Sequence, residues 1–123
     1  MDRQLLNICF TVYYKNPNVP INSKEELLDH FLACLPDNVQ YCIIGTETCP
    51  NTGNSHLQGY IQLKRKIRFK KMTKILFNGH IELALGTDEQ NRKYCSKEGD
   101  FIEYGERRSV ERQAKKNKER WAQ

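Results

Sequence analysis

No apolar run in this sequence approaches the roughly 20 residues of a membrane span. Met1 to Asn7 mixes charges and lacks the apolar stretch of a secretion signal. The expectation is a soluble protein that is not secreted and has no membrane partner. The five cysteines, Cys9, Cys34, Cys42, Cys49 and Cys95, are odd in number and include no Cys-x-x-Cys pair. This argues against a zinc knuckle and a disulfide framework, and in favour of a reducing compartment. No phosphate loop of the form GxxxxGKS or GxxxxGKT occurs, so ATP hydrolysis is not expected of these residues. Internal repeats are absent, and 123 residues accommodate one domain with a modest core but not a second.

What is present is cationic. The formal net charge is +5 and the pI is near 9.0. A surplus of this size is common in proteins that bind no polyanion, so the placement of the charges carries more information than their sum. They crowd into Lys64 to Lys71 and into the residues after Glu106.

The apolar pattern divides the chain into short elements. Asn7 to Tyr14 (NICFTVYY) is β-branched and aromatic and stops at Asn16-Pro17, as a strand closed by a turn does. Ser23 opens a capping box with Glu26, and Leu27, Leu28, Phe31, Leu32 and Leu35 recur on one helical face. Val39 to Glu47 and His56 to Lys64 are strand-like and joined by a loop rich in Pro, Asn, Gly and Ser, which predicts a hairpin. Arg68 to Phe77 has helical spacing and an Asn78-Gly79 stop, and His80 to Leu85 is a short fourth strand. Thr87 and Gln90 cap a third helix over Asp88 to Glu98, ended by Gly99, and Phe101 to Tyr104 adds a fifth strand. The order predicts an α+β fold of the split βαβ (ferredoxin-like, RRM-like) type. Its antiparallel sheet of about five strands has helices on one face and leaves the other face to a ligand. The expected division is a domain over residues 1–106 and a basic linker, tail or frayed helix over 107–123.

Several residues can carry chemistry. Alternation along the third strand puts His56, Gln58, Tyr60 and Gln62 on one face and Leu57, Gly59, Ile61 and Leu63 on the other. Antiparallel pairing brings Glu47 beside His56, so one imidazole, one amide and one carboxylate converge in a set suited to Mg²⁺ or Mn²⁺. Alone, His-x-Gln is a pair of ordinary strand residues. Tyr94 and Lys97 share a face of the third helix, and a tyrosine beside an ammonium and a metal suits transesterification at phosphorus. Lys64, Arg65, Lys66, Arg68, Lys70 and Lys71 can follow a phosphate backbone, or can be a solvated helix start. Tyr13, Tyr14 and Lys15 can stack on unpaired bases, although strand aromatics are more often core. His80 and Glu82 alternate on the fourth strand and can form a second metal pair, although a hydrogen-bonded structural histidine is the commoner state; His30 is read as an exposed helical residue and Cys95 as a buried thiol.

Read in order, CFTVYY (Cys9 to Tyr14), HLQGY (His56 to Tyr60) and YCSK (Tyr94 to Lys97) resemble the three rolling-circle motifs of the Rep proteins of circoviruses and related circular single-stranded DNA viruses. The resemblance covers Ile8 to Arg107. It is carried most specifically by HLQGYIQLK and GHIELALGTDEQNRKYCSKEGDF. It implies an endonuclease of the HUH superfamily that uses Mg²⁺ or Mn²⁺ to nick single-stranded DNA at an origin stem-loop through a 5′-phosphotyrosine, and later joins the ends. Tyr94 is then the implied nucleophile, Lys97 the residue that places metal or phosphate, and Glu47, His56 and Gln58 the ligands. Gln58 stands where the superfamily has a second histidine, and Tyr13-Tyr14 stand where many members have asparagine. The resemblance further implies a host-nuclear viral protein, a helicase domain beyond these residues, and self-association in the full-length protein. The competing reading is a non-catalytic RRM-like module that binds single-stranded nucleic acid. A third is a small interaction domain with a nuclear-targeting tail.

Overall fold

Alternation builds the sheet. Strand β1 (Gln4–Val12) buries Leu5, Ile8, Phe10 and Val12 and turns Asn7, Cys9 and Thr11 to the opposite side, with a register shift between Leu5 and Asn7. β2 (Val39–Thr48) and β3 (Ser55–Arg68) form the expected hairpin, and β4 (His80–Leu83) and β5 (Phe101–Gly105) close the two edges. The order is β4-β1-β3-β2-β5, antiparallel throughout. A computed structural model describes residues 3–14 and 16–121, with side chains as far as residue 118. None of the helices described is long and apolar enough to cross a membrane.

Helix α1 (Lys24–Cys34) starts where the sequence predicts. The Ser23 hydroxyl accepts from the Glu26 N–H at 3.1 Å, and the Glu26 carboxylate accepts from the Asn22 N–H at 2.8 Å. Leu27, Phe31 and Leu35 are buried with the β1 set, Cys42, Ile44, Leu57, Ile61 and Leu63. At about 1.5–3 kcal/mol for each large apolar side chain, this layer supplies most of the driving force for folding. Phe10 meets Phe31 edge-on at 5.1 Å, and its ring occupies the space a Cβ would fill at Gly59, its partner across the sheet. The glycine of HLQGY is therefore a packing requirement.

Helix α2 (Phe69–Ile75) packs beside α1 through Met72 and Ile75. It is shorter than the predicted Arg68 to Phe77, because β3 runs on to Arg68 and so takes Lys64, Arg65 and Lys66 into the sheet. His30 is not the exposed residue expected. It is partly buried, stacks on Phe77 at 4.8 Å and places Nε2 2.8 Å from the Ile75 carbonyl oxygen, so that nitrogen carries the donated proton.

The α+β class and the five-stranded antiparallel sheet are as predicted, but the helices do not all lie on one face. α1 and α2 cover the side of Phe10 and Ile61. Helix α3 (Asp88–Cys95) lies over β2 and β3 on the other side, where Cys95 packs with Tyr41, Ile43 and Tyr60. Only one residue of α3 is buried, so nothing in its own pattern says which face it will choose. Tyr60 and Gln62 are consequently buried, and the open part of this face shrinks to the end that carries His56 and Gln58.

Beyond β5 the chain forms helix α4 (Arg108–Trp121). Its root is pinned. Arg108 donates from its backbone to the Gln62 side chain at 3.0 Å, and from its guanidinium to the Leu63 carbonyl at 2.8 Å and to Asn7. Ser109 donates its N–H to Asp88 at 3.1 Å, and Arg107 pairs with the same carboxylate at 3.6 Å.

Candidate active site

The hairpin register decides which side chains meet. Glu47 pairs with His56 and Gly45 with Gln58, two rungs apart, so these alternate rungs present a carboxylate, an imidazole and an amide on the α3 side. Glu47 Oε2 lies 3.3 Å from His56 Nε2. Both side chains are partly shielded, at 25% and 20% exposure, which strengthens their interaction relative to a fully solvated pair. On the neighbouring strand Thr11 is the rung partner of Gln58, and the Tyr13 ring sits 5.5 Å from the His56 ring.

Helix α3 brings the tyrosine. The Thr87 hydroxyl accepts from the Gln90 N–H at 3.1 Å and the Gln90 side chain accepts from the Thr87 N–H at 2.9 Å, completing the predicted capping box. The helix ends at Cys95, three residues before the expected Glu98. The chain then tightens through a Lys97 N–H to Tyr94 carbonyl contact of 3.4 Å and a Gly99 N–H to Ser96 carbonyl bond of 3.0 Å. The tighter turn still sets Lys97 beside Tyr94. Its ammonium lies 3.8 Å from the centre of the tyrosine ring and 3.2 Å from Glu47 Oε1. Burial pulls the Lys97 pKa down, but the Tyr94 hydroxyl and the Glu47 carboxylate outweigh it, leaving the ammonium above its ordinary range and charged at neutral pH. Gly45, Glu47, Gln58, Tyr94 and Lys97 thus line one small crevice.

Two features that the sequence reading missed hold α3 in place. A Cβ at Gly45 would collide with the Cys95 carbonyl oxygen, so glycine is required for the helix end to approach β2. Arg92, one turn before the end, grips Glu103 of β5 with Nη2 at 2.7 Å and Nε at 3.1 Å, while Tyr41 donates to Glu103 at 3.0 Å. Burial raises the Glu103 pKa, but the Arg92 and Tyr41 contacts prevail and hold it below its ordinary value.

The other reactive groups here are muted. Burial keeps Tyr41 and Tyr60 protonated and pushes the Cys95 thiol up to about 12, so neither a buried phenol nor Cys95 is a nucleophile at neutral pH. Tyr94 is 51% exposed and Tyr13 is 62% exposed, so both can be reached. The stacking surface required by an RRM-like reading is lost at Tyr60, which is 3% exposed and accepts from the Gln62 amide at 2.8 Å.

Glu47, His56 and Gln58 offer a hard oxygen, an imidazole nitrogen and an amide oxygen, a donor set compatible with Mg²⁺ or Mn²⁺. Among the described residues no group of three His, Cys, Asp or Glu is arranged to hold a metal. His80 and Glu82 contact each other at 2.7 Å on the exposed edge strand.

The residues predicted to contact DNA are spread widely. Tyr13 stands beside His56, whereas Tyr14 is partly buried and packs against the main core; Lys15 lies outside the described residues. Lys64, Arg65 and Lys66 are exposed on β3, six or more strand positions beyond Gln58, which is about 20 Å or more along the chain. Arg68 precedes α2, and Lys70 and Lys71 lie in its first turn.

Comparison with known proteins gives the family. The family model described as "Putative viral replication protein" matches residues 6–98, a span that runs from β1 to the turn after Tyr94. The chain belongs to that viral replication protein family. It is 48% identical over 95 residues to the replication-associated protein of Beak and feather disease virus, covering 76% of this chain and 29% of that protein. It is 47% identical over 68 residues to the replication-associated protein of Human associated cyclovirus 1, covering 54% and 24%. With the Para-Rep C1 of Faba bean necrotic yellows C11 alphasatellite it shares 39% over 98 residues, covering 79% and 32%. The chain thus spans about a third or less of the length of these relatives.

Proposed function

We propose that this chain nicks single-stranded DNA by transesterification on Tyr94, the step that opens rolling-circle replication at a viral origin stem-loop, and that the same site later joins the ends. The observation that carries the reading is the line of contacts from Tyr94 through Lys97 and Glu47 to His56, on a face where Tyr94 is exposed.

The Tyr94 oxygen attacks phosphorus and forms a phosphotyrosine bond as the bond from phosphorus to the 3′ oxygen breaks. The phenolic proton passes to solvent and the departing 3′ oxygen is protonated. Lys97, kept cationic, stabilises charge on the phosphate. Glu47 holds Lys97 against the ring, and His56 and Gln58 complete the donor set beside it. When bound there, Mg²⁺ or Mn²⁺ supplies a Lewis acid for a non-bridging phosphate oxygen. One ester replaces another, so joining is the reverse reaction through the same groups.

Incubation with a labelled library of random-sequence single-stranded oligonucleotides and Mn²⁺ tests the proposal. A labelled band that survives detergent and heat is expected from the native chain and not from Tyr94→Phe, with non-covalent single-strand binding retained by the variant. An adduct of undiminished intensity in Tyr94→Phe removes the assignment.

A further inference from the structure

Attack by Tyr94 releases a phenolic proton, and few groups lining the crevice can take it. Lys97 is a charged ammonium with no lone pair to offer. The Cys95 thiol, pushed up to about 12, keeps its own proton at neutral pH, and Thr46 and Gln58 are neutral groups that are not bases. Glu47 is engaged on both oxygens, with Lys97 Nζ 3.2 Å from Oε1 and His56 Nε2 3.3 Å from Oε2. The remaining acid in the lining is Glu98.

The fold delivers Glu98 to that place. The turn after α3 is closed by the Gly99 N–H bond to the Ser96 carbonyl, with Gly99 at a φ of 79°, a left-handed conformation that glycine adopts without strain. Glu98 is thereby turned back to the end of β2, where the Thr48 N–H donates to its Oε2 at 3.4 Å. Glu47, Asp88, Asp100 and Glu103 each pair with a cation, whereas Glu98 has no ion-pair partner among the described residues. Its lone pairs are held near the nucleophile and are not committed to a charge. The crevice that Tyr94 and Glu98 both line has a volume of about 10 Å³, room for about one water, so one relay suffices to carry a proton across it.

We propose that Glu98 is the general base for Tyr94. Its carboxylate takes the phenolic proton, directly or through one water, as the tyrosine oxygen bonds to phosphorus and the 3′ oxygen departs. Glu98 becomes a carboxylic acid and passes the proton on to solvent; in joining, the carboxylic acid returns a proton to the tyrosine oxygen as the phosphotyrosine bond breaks. The two residues of the turn then divide the work, Lys97 acting on the phosphate charge and Glu98 on the proton. This role rests on the nicking reading of Tyr94.

The test is the single-turnover rate of adduct formation with the labelled library of random-sequence single-stranded oligonucleotides and Mn²⁺, between about pH 6 and 8, for the native chain, Glu98→Gln and Glu98→Asp. Glu98 is exposed and a glutamine oxygen can still accept from Thr48, so the variant is expected to fold, which a circular dichroism melt checks. Glu98→Gln should be about 100-fold slower at neutral pH, with oligothymidylate affinity and the Mn²⁺ midpoint within about threefold. With a carboxylate base the rate is nearly level over this range, which lies above that in which carboxylates titrate. Without one the phenol loses its proton to hydroxide, so the Glu98→Gln rate should climb about tenfold per pH unit and the deficit should narrow. Glu98→Asp should restore the level profile. Equal rates in the native chain and folded Glu98→Gln overturn the proposal, as does a deficit that is the same at every pH or a Mn²⁺ midpoint raised tenfold. Absence of any adduct from the native chain removes the nicking reading and this role with it, whereas adduct formed at equal rates removes the role alone.

Discussion

Glu47 holds two partners with one carboxylate: Oε2 lies 3.3 Å from His56 Nε2 and Oε1 lies 3.2 Å from Lys97 Nζ. The hairpin supplies the first contact through register, and the turn after α3 supplies the second through tertiary packing. The residue thereby joins the proposed metal ligands to the residue beside the proposed nucleophile.

Replacing Glu47 by alanine should therefore damage two functions at once. The Mn²⁺ concentration needed for half-maximal adduct formation is expected to rise at least tenfold, because the one carboxylate of the donor set is gone. His56→Ala should act in the same direction while leaving the environment of Lys97 intact. A metal titration of adduct yield checks both, and a midpoint unmoved in either variant would remove that residue from the ligand set.

Gly45→Ala tests how closely α3 must approach. Its Cβ would strike the Cys95 carbonyl oxygen, so the helix end that carries Tyr94 has to move. Overpacking of this kind costs about 1–3 kcal/mol. A displacement of about 1 Å at a reacting group can cost two orders of magnitude in rate. Single-turnover adduct formation should fall at least tenfold with single-strand affinity within threefold. Equal rates would mean that the position of α3 does not limit the chemistry.

The pH dependence of stability follows from Glu103 and Cys95. The Glu103 pKa is depressed in the folded chain, so its contribution is present above the ordinary carboxylate value of 4.5 and is lost as pH falls through the folded value. The Cys95 thiol is raised from 9.0 to about 12, so its contribution is present below pH 9 and is lost as pH rises from there towards 12. Stability should be greatest between the two limbs. Glu103→Gln, which ends the charged pairing with Arg92, should lower stability at pH 7 by about 1 kcal/mol and flatten the acid limb in urea denaturation measured at several pH values. An acid limb as steep as in the native chain would show that this pair does not carry it.

What the sequence made legible was what local rules control. The Ser23 and Thr87 caps lie where hydroxyl and carboxamide spacing put them, and the strict period of two along β3 fixed which face carries His56 and Gln58. The side of the sheet taken by α3 was not legible, because seven of its eight residues are not buried and the one that is, Cys95, can pack on either face. Gly45 was equally silent: a glycine in a strand says that a backbone comes close, not which one. The Arg92 and Glu103 pairing links two elements with no local pattern between them, and the length of β3 was hidden because Lys64 to Arg68 fits an exposed strand as well as a helix start.

The central claim is that Tyr94, and not the equally reachable Tyr13, becomes bonded to DNA. Protease and nuclease digestion of the covalent product, followed by fragment-ion mass spectrometry, measures this directly. The account predicts that the residual phosphonucleotide lies on the peptide containing Tyr94 and on that residue. The same mass found on Tyr13, or no phosphonucleotide on any tyrosine of an active preparation, would contradict it.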